Sequence, residues 1–225
     1  MGWKTFYSVD ESYFRDLYNK GQKWGEMLPY QVTRGGEVRY GAGIVSSQPT
    51  PYYQSPKQSH VVGYKTRFTI TYFVWVGAST TCEVGLGIVF YQNGDTAKDE
   101  QGYDLHGASH TVSQPPSTNV AEPHTMVIEQ DANKITISVD GQKIDECVLR
   151  GTLASFTIAV RVFSVSANGS AGIIITSVKA EYYDAFEDMI NSMMQIMNIM
   201  MFVMIAIMFV VILIRAFRGR KEEKG

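Results

Sequence analysis

The polar residues most able to act together lie between Asn93 and His110, where Asn93, Asp95, Asp104 and His106 interrupt a strand-rich chain. Convergent carboxylate and amide oxygens are what a hard cation such as Ca²⁺, or the hydroxyls of a sugar, require. These residues follow no ligand spacing, so the preferred reading is a solvated loop. Ca²⁺ is the one cofactor the run suggests. Tyr52 and Tyr53 sit among Pro49, Pro51 and Pro56. They either stack on a sugar ring or partner surface, or pack beneath their own loop. Cys82 and Cys147 are far apart and in no metal-binding spacing, and are read either as a disulfide or as two buried thiols on adjacent strands. Asn168-Gly169-Ser170 is an N-glycosylation acceptor at a hairpin tip.

Motifs for catalysis are missing. The chain has no Gly-x-Gly-x-x-Gly, no Walker loop, no His-Glu-x-x-His and no Cys-x-x-Cys, and no Ser–His–Asp set stands out. The expectation is a binding protein rather than an enzyme. The formal charge of −2 gives no general pull toward nucleic acid.

The element that must position everything else lies near the C-terminus. Ile199 to Ile214 contains no polar side chain, and extending back to Met193 adds only Gln195 and Asn198. A helix of that extended length reaches about 33 Å, enough for a hydrocarbon core of about 30 Å. Ile199, Phe202, Ile205, Phe209 and Ile212 are the expected membrane-anchoring residues. Arg215, Arg218, Arg220 and Lys221 follow as a basic tail, which the positive-inside tendency places in the cytoplasm with the large domain outside. The first 30 residues contain no apolar signal-peptide core, which stands against that topology. Eight of the eleven methionines fall between Met189 and Met208, and they suit irregular helix–helix contacts in a homo-oligomer. Membrane lipid is the first expected partner.

The remaining chain reads as strands. An amphipathic helix is expected within residues 8–24, ended by Gly21. Strands are expected at Val38–Val45, Tyr64–Val76, Thr80–Tyr91, His124–Glu129, Lys134–Val139, Gln142–Leu149, Phe156–Val165 and Ala171–Tyr183. Asp140-Gly141 marks a tight hairpin. Residues 46–60, with three prolines, and 92–123 read as irregular. The fold class is therefore all-β, an antiparallel sandwich or jelly roll, with one short N-terminal helix and one C-terminal transmembrane helix. Four segments follow: 1–36 N-terminal, 37–184 sandwich, 185–214 juxtamembrane and transmembrane, and 215–225 tail.

Three stretches resemble the concanavalin A-like superfamily, which includes L-type lectins, laminin-G-like domains and laminarinase-like glucanases. They are Phe68–Phe73 followed by Gly85-Leu86-Gly87-Ile88-Val89-Phe90; His124–Asp131 with Ile135–Gly141; and the closing strand Gly172–Tyr183. The resemblance covers residues 37–183 and implies a jelly-roll sandwich that binds carbohydrate or protein at a surface. In such lectins an aspartate often lies between the two glycines, where this chain has Leu86. The glucanase Glu-x-Asp-x-x-Glu run is reduced to Glu129-Gln130-Asp131. The expected function is thus single-pass, membrane-anchored recognition of a glycan or protein partner, as in a cell-surface lectin or adhesion module. A structural membrane protein of a virion or other symmetric assembly is the alternative, and a degenerate glycosidase the third reading.

Overall fold

The structure is a computed structural model describing the backbone of residues 2–222. The side chains at 187, 188 and 216–222 lie outside the described residues, and with them the tail charges Arg218, Arg220 and Lys221. Numbered in chain order, the elements are β1 (Trp3–Val9), α1 (Glu11–Lys20), β2 (Leu28–Arg34), β3 (Glu37–Ser46), β4 (Tyr53–Gln54), β5 (Gln58–Ser59) and β6 (Thr66–Val76). Then follow β7 (Cys82–Gln92), β8 (Asp95–Thr96), β9 (Leu105–Val112), β10 (Val120–Asp131), β11 (Lys134–Val139), β12 (Gln142–Val148), β13 (Ser155–Val165), β14 (Ala171–Tyr183) and α2 (Ala185–Glu222).

The strands form two antiparallel sheets. The eight-stranded sheet runs β12-β11-β10-β6-β14-β3-β2, with β1 also paired to β14. The six-stranded sheet runs β4-β13-β7-β8, with β5 on β13 and β9 on β7. Side chains alternate across a strand, so one face of each sheet supplies the core. Phe68, Ile70, Tyr72, Val74 and Val76 of β6 point inward, as do Val84, Leu86, Ile88 and Phe90 of β7 and Phe156, Ile158, Val160 and Val162 of β13. In β14 a bulge between Ile175 and Ser177 resets the alternation, so that Val178 and Ala180 return to the core.

Local chemistry sets the ends of these elements. Asp10 caps α1 by accepting from the backbone N–H groups of Ser12 and Tyr13, at 3.0 and 3.2 Å. Gly21 closes the helix in the left-handed region at φ 63°, as the sequence indicates. Asp140 and Gly141, at φ 50° and 81°, turn β11 into β12 as expected of that pair.

Three expectations change. The N-terminal segment 1–36 is not separate, since β1 and β2 both belong to the larger sheet. Phe6 of β1 lies edge-on to Phe68 at 6.2 Å and to Phe156 at 6.3 Å, so the sandwich uses this strand as core. The run 92–123 is not wholly irregular, because β9 pairs with β7 from Cys82↔Val112 to Val89↔Leu105. The proline-containing run 46–60 is partly in the smaller sheet as β4 and β5, on the edge of β13 where missing N–H groups are tolerated.

Lys4–Tyr183 forms one compact unit and α2 belongs to a second. Within α2, Met189–Arg215 is 27 residues long at mean hydropathy 2.9, long and apolar enough to cross a membrane. Ile199, Phe202, Ile205, Phe209 and Ile212 are all exposed on it.

Candidate functional site

The outer face of the six-stranded sheet is built by the segment before β4. Thr50 docks on β13: its backbone N–H donates to the Val162 carbonyl at 2.9 Å, and its hydroxyl accepts from the Val162 N–H at 3.1 Å. From there alternation sends Tyr53 into the core, while Tyr52 and Gln54 lie on the other face. The two tyrosines thus divide: one anchors the loop and the other is available to a ligand.

Arg161 stands beside Tyr52 on that face. Its guanidinium lies 5.1 Å from the centre of the Tyr52 ring and 5.0 Å from that of Phe163. Its Nε donates to the Thr50 carbonyl at 2.9 Å. Among the described residues no acidic side chain pairs with it. Opposite Arg161 in β7 is Gly85, where a Cβ would come within 2.4 Å of the Phe163 ring. The glycine is therefore what lets Phe163 lie flat across the sheet. Beside this group, Gln54 Oε1 accepts from the Tyr91 hydroxyl at 2.8 Å and the Thr157 hydroxyl at 3.0 Å. Lys57 Nζ lies 3.6 Å from the centre of the Tyr91 ring. Leu86 is fully buried and faces the core.

The loop residues nominated by sequence do not converge. Asn93 and Asp95 are exposed around the β7–β8 turn, where Asn93 adopts φ 51°. Asp104 is half-buried, and His106 points inward from β9. His106 instead meets Cys147 of β12, with Nδ1 3.4 Å from Sγ. Asp99 completes the group, the three donor atoms lying within 4.8 Å of one another. Among the described residues this is the one trio able to hold a metal ion. Burial lowers the pKa of His106 and, with help from Asp145, Asp99 and Glu146, pushes that of the Cys147 thiol up to about 11.

No disulfide forms. Both thiols are free, with Cys82 in β7 of the smaller sheet and Cys147 in β12 at the edge of the larger one. Neither are they on adjacent strands. Asn168 is exposed in the turn before β14, at φ 61°.

A second polar chain runs across one edge of the core. The Tyr72 hydroxyl lies 2.6 Å from His110 Nε2, the His110 and His124 rings are 4.5 Å apart, and His124 Nδ1 is 2.7 Å from Asp140 Oδ2. Burial raises the Tyr72 pKa and lowers that of His110 to about 4, so at pH 7 this is a hydrogen bond between two neutral groups. Tyr72 is fully buried, so this chain ends in the core and acts as a bridge between sheets.

A recess of 530 Å³ on the outer face of the larger sheet is lined by Arg34, Arg39, Glu11 and Glu37 among others. Arg39 is already paired with Glu11 at 3.1 Å and Glu37 at 2.8 Å. Glu129 is paired with Arg67 at 2.7 Å, and Asp131 with Lys65 at 3.5 Å.

Compared by sequence, the chain matches no protein-family profile and no curated protein. By structure it is similar to the Emp47p carbohydrate recognition domain, at 14% identity and TM-score 0.46, over 81% of this chain and 98% of that one. It is also similar to the catalytic domain of an endo-1,3-beta-glucanase (laminarinase) from Thermotoga petrophila RKU-1, at 12% identity and TM-score 0.39, over 81% and 98%. A third is alginate lyase A1-II′ of polysaccharide lyase family 7, at 10% identity and TM-score 0.37, over 69% and 84%. Carbohydrate recognition domains and glucanases are the sandwiches that the strand motifs resemble. Both binding proteins and enzymes stand among these structures, so they leave catalysis open, and they give no support to adhesion or a virion role.

Proposed function

We propose that this chain is a membrane-anchored carbohydrate-recognition protein. Its ligand sits on the outer face of the six-stranded sheet, against Tyr52, Arg161 and Phe163, with Gln54 beside them. The observation that carries this reading is Arg161, a guanidinium flanked by two rings and lacking any carboxylate partner among the described residues. Aromatic faces pack against the C–H face of a pyranose, and a fixed guanidinium offers planar donors to a carboxylate. Sugars bearing a carboxylate are therefore the preferred class, since they supply the missing counter-charge. The apolar helix within α2 supports the membrane anchor.

The test uses the full chain in detergent against a panel of neutral and carboxylated oligosaccharides. Binding of carboxylated members is expected, weakened at least tenfold in Arg161→Ala and in Tyr52→Ala, with unchanged thermal unfolding. Failure to bind any sugar, or equal binding by Arg161→Ala, overturns the proposal. Binding of a protein partner through the same residues would replace the glycan reading.

A further inference from the structure

Asp99, His106 and Cys147 bring a carboxylate, an imidazole and a thiol to one point, and we propose that they bind a divalent cation of the zinc type, leaving its fourth position to water. The donor set selects the cation. A calcium site is built from six to eight oxygens, whereas sulfur and nitrogen donors suit zinc. Three protein ligands plus an open position is the arrangement of reactive zinc sites, while structural sites close with four.

The geometry comes from three separate parts of the chain. His106 lies on the inward face of β9 and is only 3% exposed. Its Nδ1 faces the Cys147 sulfur at 3.4 Å. Two ligands on one tetrahedral zinc are about 3.5 Å apart, given bonds of about 2.0 to 2.3 Å. Its other nitrogen, Nε2, is buried without a hydrogen-bond partner among the described residues.

Asp99 is oriented before any ion arrives. Its Oδ1 accepts from the backbone N–H groups of Gln101 at 2.9 Å and Tyr103 at 2.8 Å. Every hydrogen bond that its carboxylate accepts falls on Oδ1, which leaves Oδ2 for an ion. A backbone bridge between Asp99 and Leu149 ties this loop to the strand that carries Cys147. The surrounding charge also favours a cation: Asp104 and Asp145 act on His106 beside Asp99. Glu146, next to the cysteine, is already paired with Lys134 and Lys143. On binding, the thiol proton leaves to solvent and the sulfur lone pair makes the metal bond, with no change of oxidation state.

Cobalt(II) tests this, because a cobalt–thiolate bond gives a near-ultraviolet charge-transfer band. The full chain in detergent, stripped with chelator, is titrated with cobalt and then with zinc. One cobalt per chain is expected, with the charge-transfer band, displaced by zinc. Cys147→Ser is expected to lose the band, and Asp99→Asn to keep it while binding at least tenfold more weakly. Cys82→Ser is expected to behave as wild type. A wild-type chain without the band, or a folded Cys147→Ser variant that retains it, overturns the site. Should Cys147→Ser misfold, Asp99→Asn decides alone, since it alters an irregular loop outside the core. Unchanged affinity there also overturns the proposal.

Discussion

Arg161 and His60 show opposite treatments of a basic side chain. Arg161 is held by one carbonyl and two rings, with its charge free to meet a ligand. His60 is 7% exposed, with Nε2 3.3 Å from the Thr66 hydroxyl and Phe68 stacked on its ring. Burial lowers its pKa from 6.5 to about 4. The unfolded chain therefore takes up the proton first, and stability falls as pH drops from about 6.5 to about 4. A shift of this size corresponds to about 3 kcal/mol. Urea unfolding at pH 7 and pH 4 measures the fall, to which His110 contributes in the same window, and His60→Gln is expected to reduce it without abolishing it. An unchanged pH slope in that variant would show that His60 is not buried neutral. Residues of this kind were only partly legible. The sequence places His106 with Asn93, Asp95 and Asp104, whereas the structure sets it beside Asp99 and Cys147. Its partners Asp99 and Cys147 are 7 and 41 positions away in the sequence, and only the pairing of β9 with β7 and the bridge at Leu149 bring them together. Arg161 gave no signal, because nothing local distinguishes a lone arginine in a strand from a solvated one.

The strands were legible where apolar alternation was strong and hidden where polar residues took inward positions. β6 and β13 declare themselves through Phe, Ile, Tyr and Val at every second position. β9 does not: its inward series is His106, Ala108, His110 and Val112, which reads as a polar loop. β1 is hidden for a related reason, since Lys4, Thr5 and Ser8 interrupt its apolar residues. Leu86 tests the inward series of β7. Its side chain is fully buried opposite Val160. Leu86→Ala is expected to cost about 2 to 5 kcal/mol. Leu86→Asp is expected to unfold the sandwich at neutral pH rather than create a sugar contact, because an unpaired carboxylate would enter the core. Circular dichroism of the two variants decides, and a folded, sugar-binding Leu86→Asp chain would refute the assignment of that face.

At the scale of the whole molecule, the sandwich and the apolar helix are separate units. The residues of α2 between Met189 and Arg215 expose apolar side chains on every side. A chain ending at Asp184 is therefore expected to stay in solution without detergent and to unfold in one cooperative transition. The full chain is expected to require detergent or lipid. High-speed centrifugation of the two forms separates these outcomes, and a full chain that remains dispersed in buffer would rule out the membrane role of α2.

The larger sheet ends on β12 at one side and β2 at the other. Anchored proteins diffuse in two dimensions, where collisions between like neighbours are frequent and repeatedly oriented alike. An open strand edge would then be a standing invitation to zip copies into a shared sheet. β12 meets such a neighbour with Lys143, Asp145 and Glu146, and β2 offers Pro29, which has no N–H to lend, and Arg34. On β12 and β2, charge and proline thus oppose the zipping of neighbouring copies into one sheet.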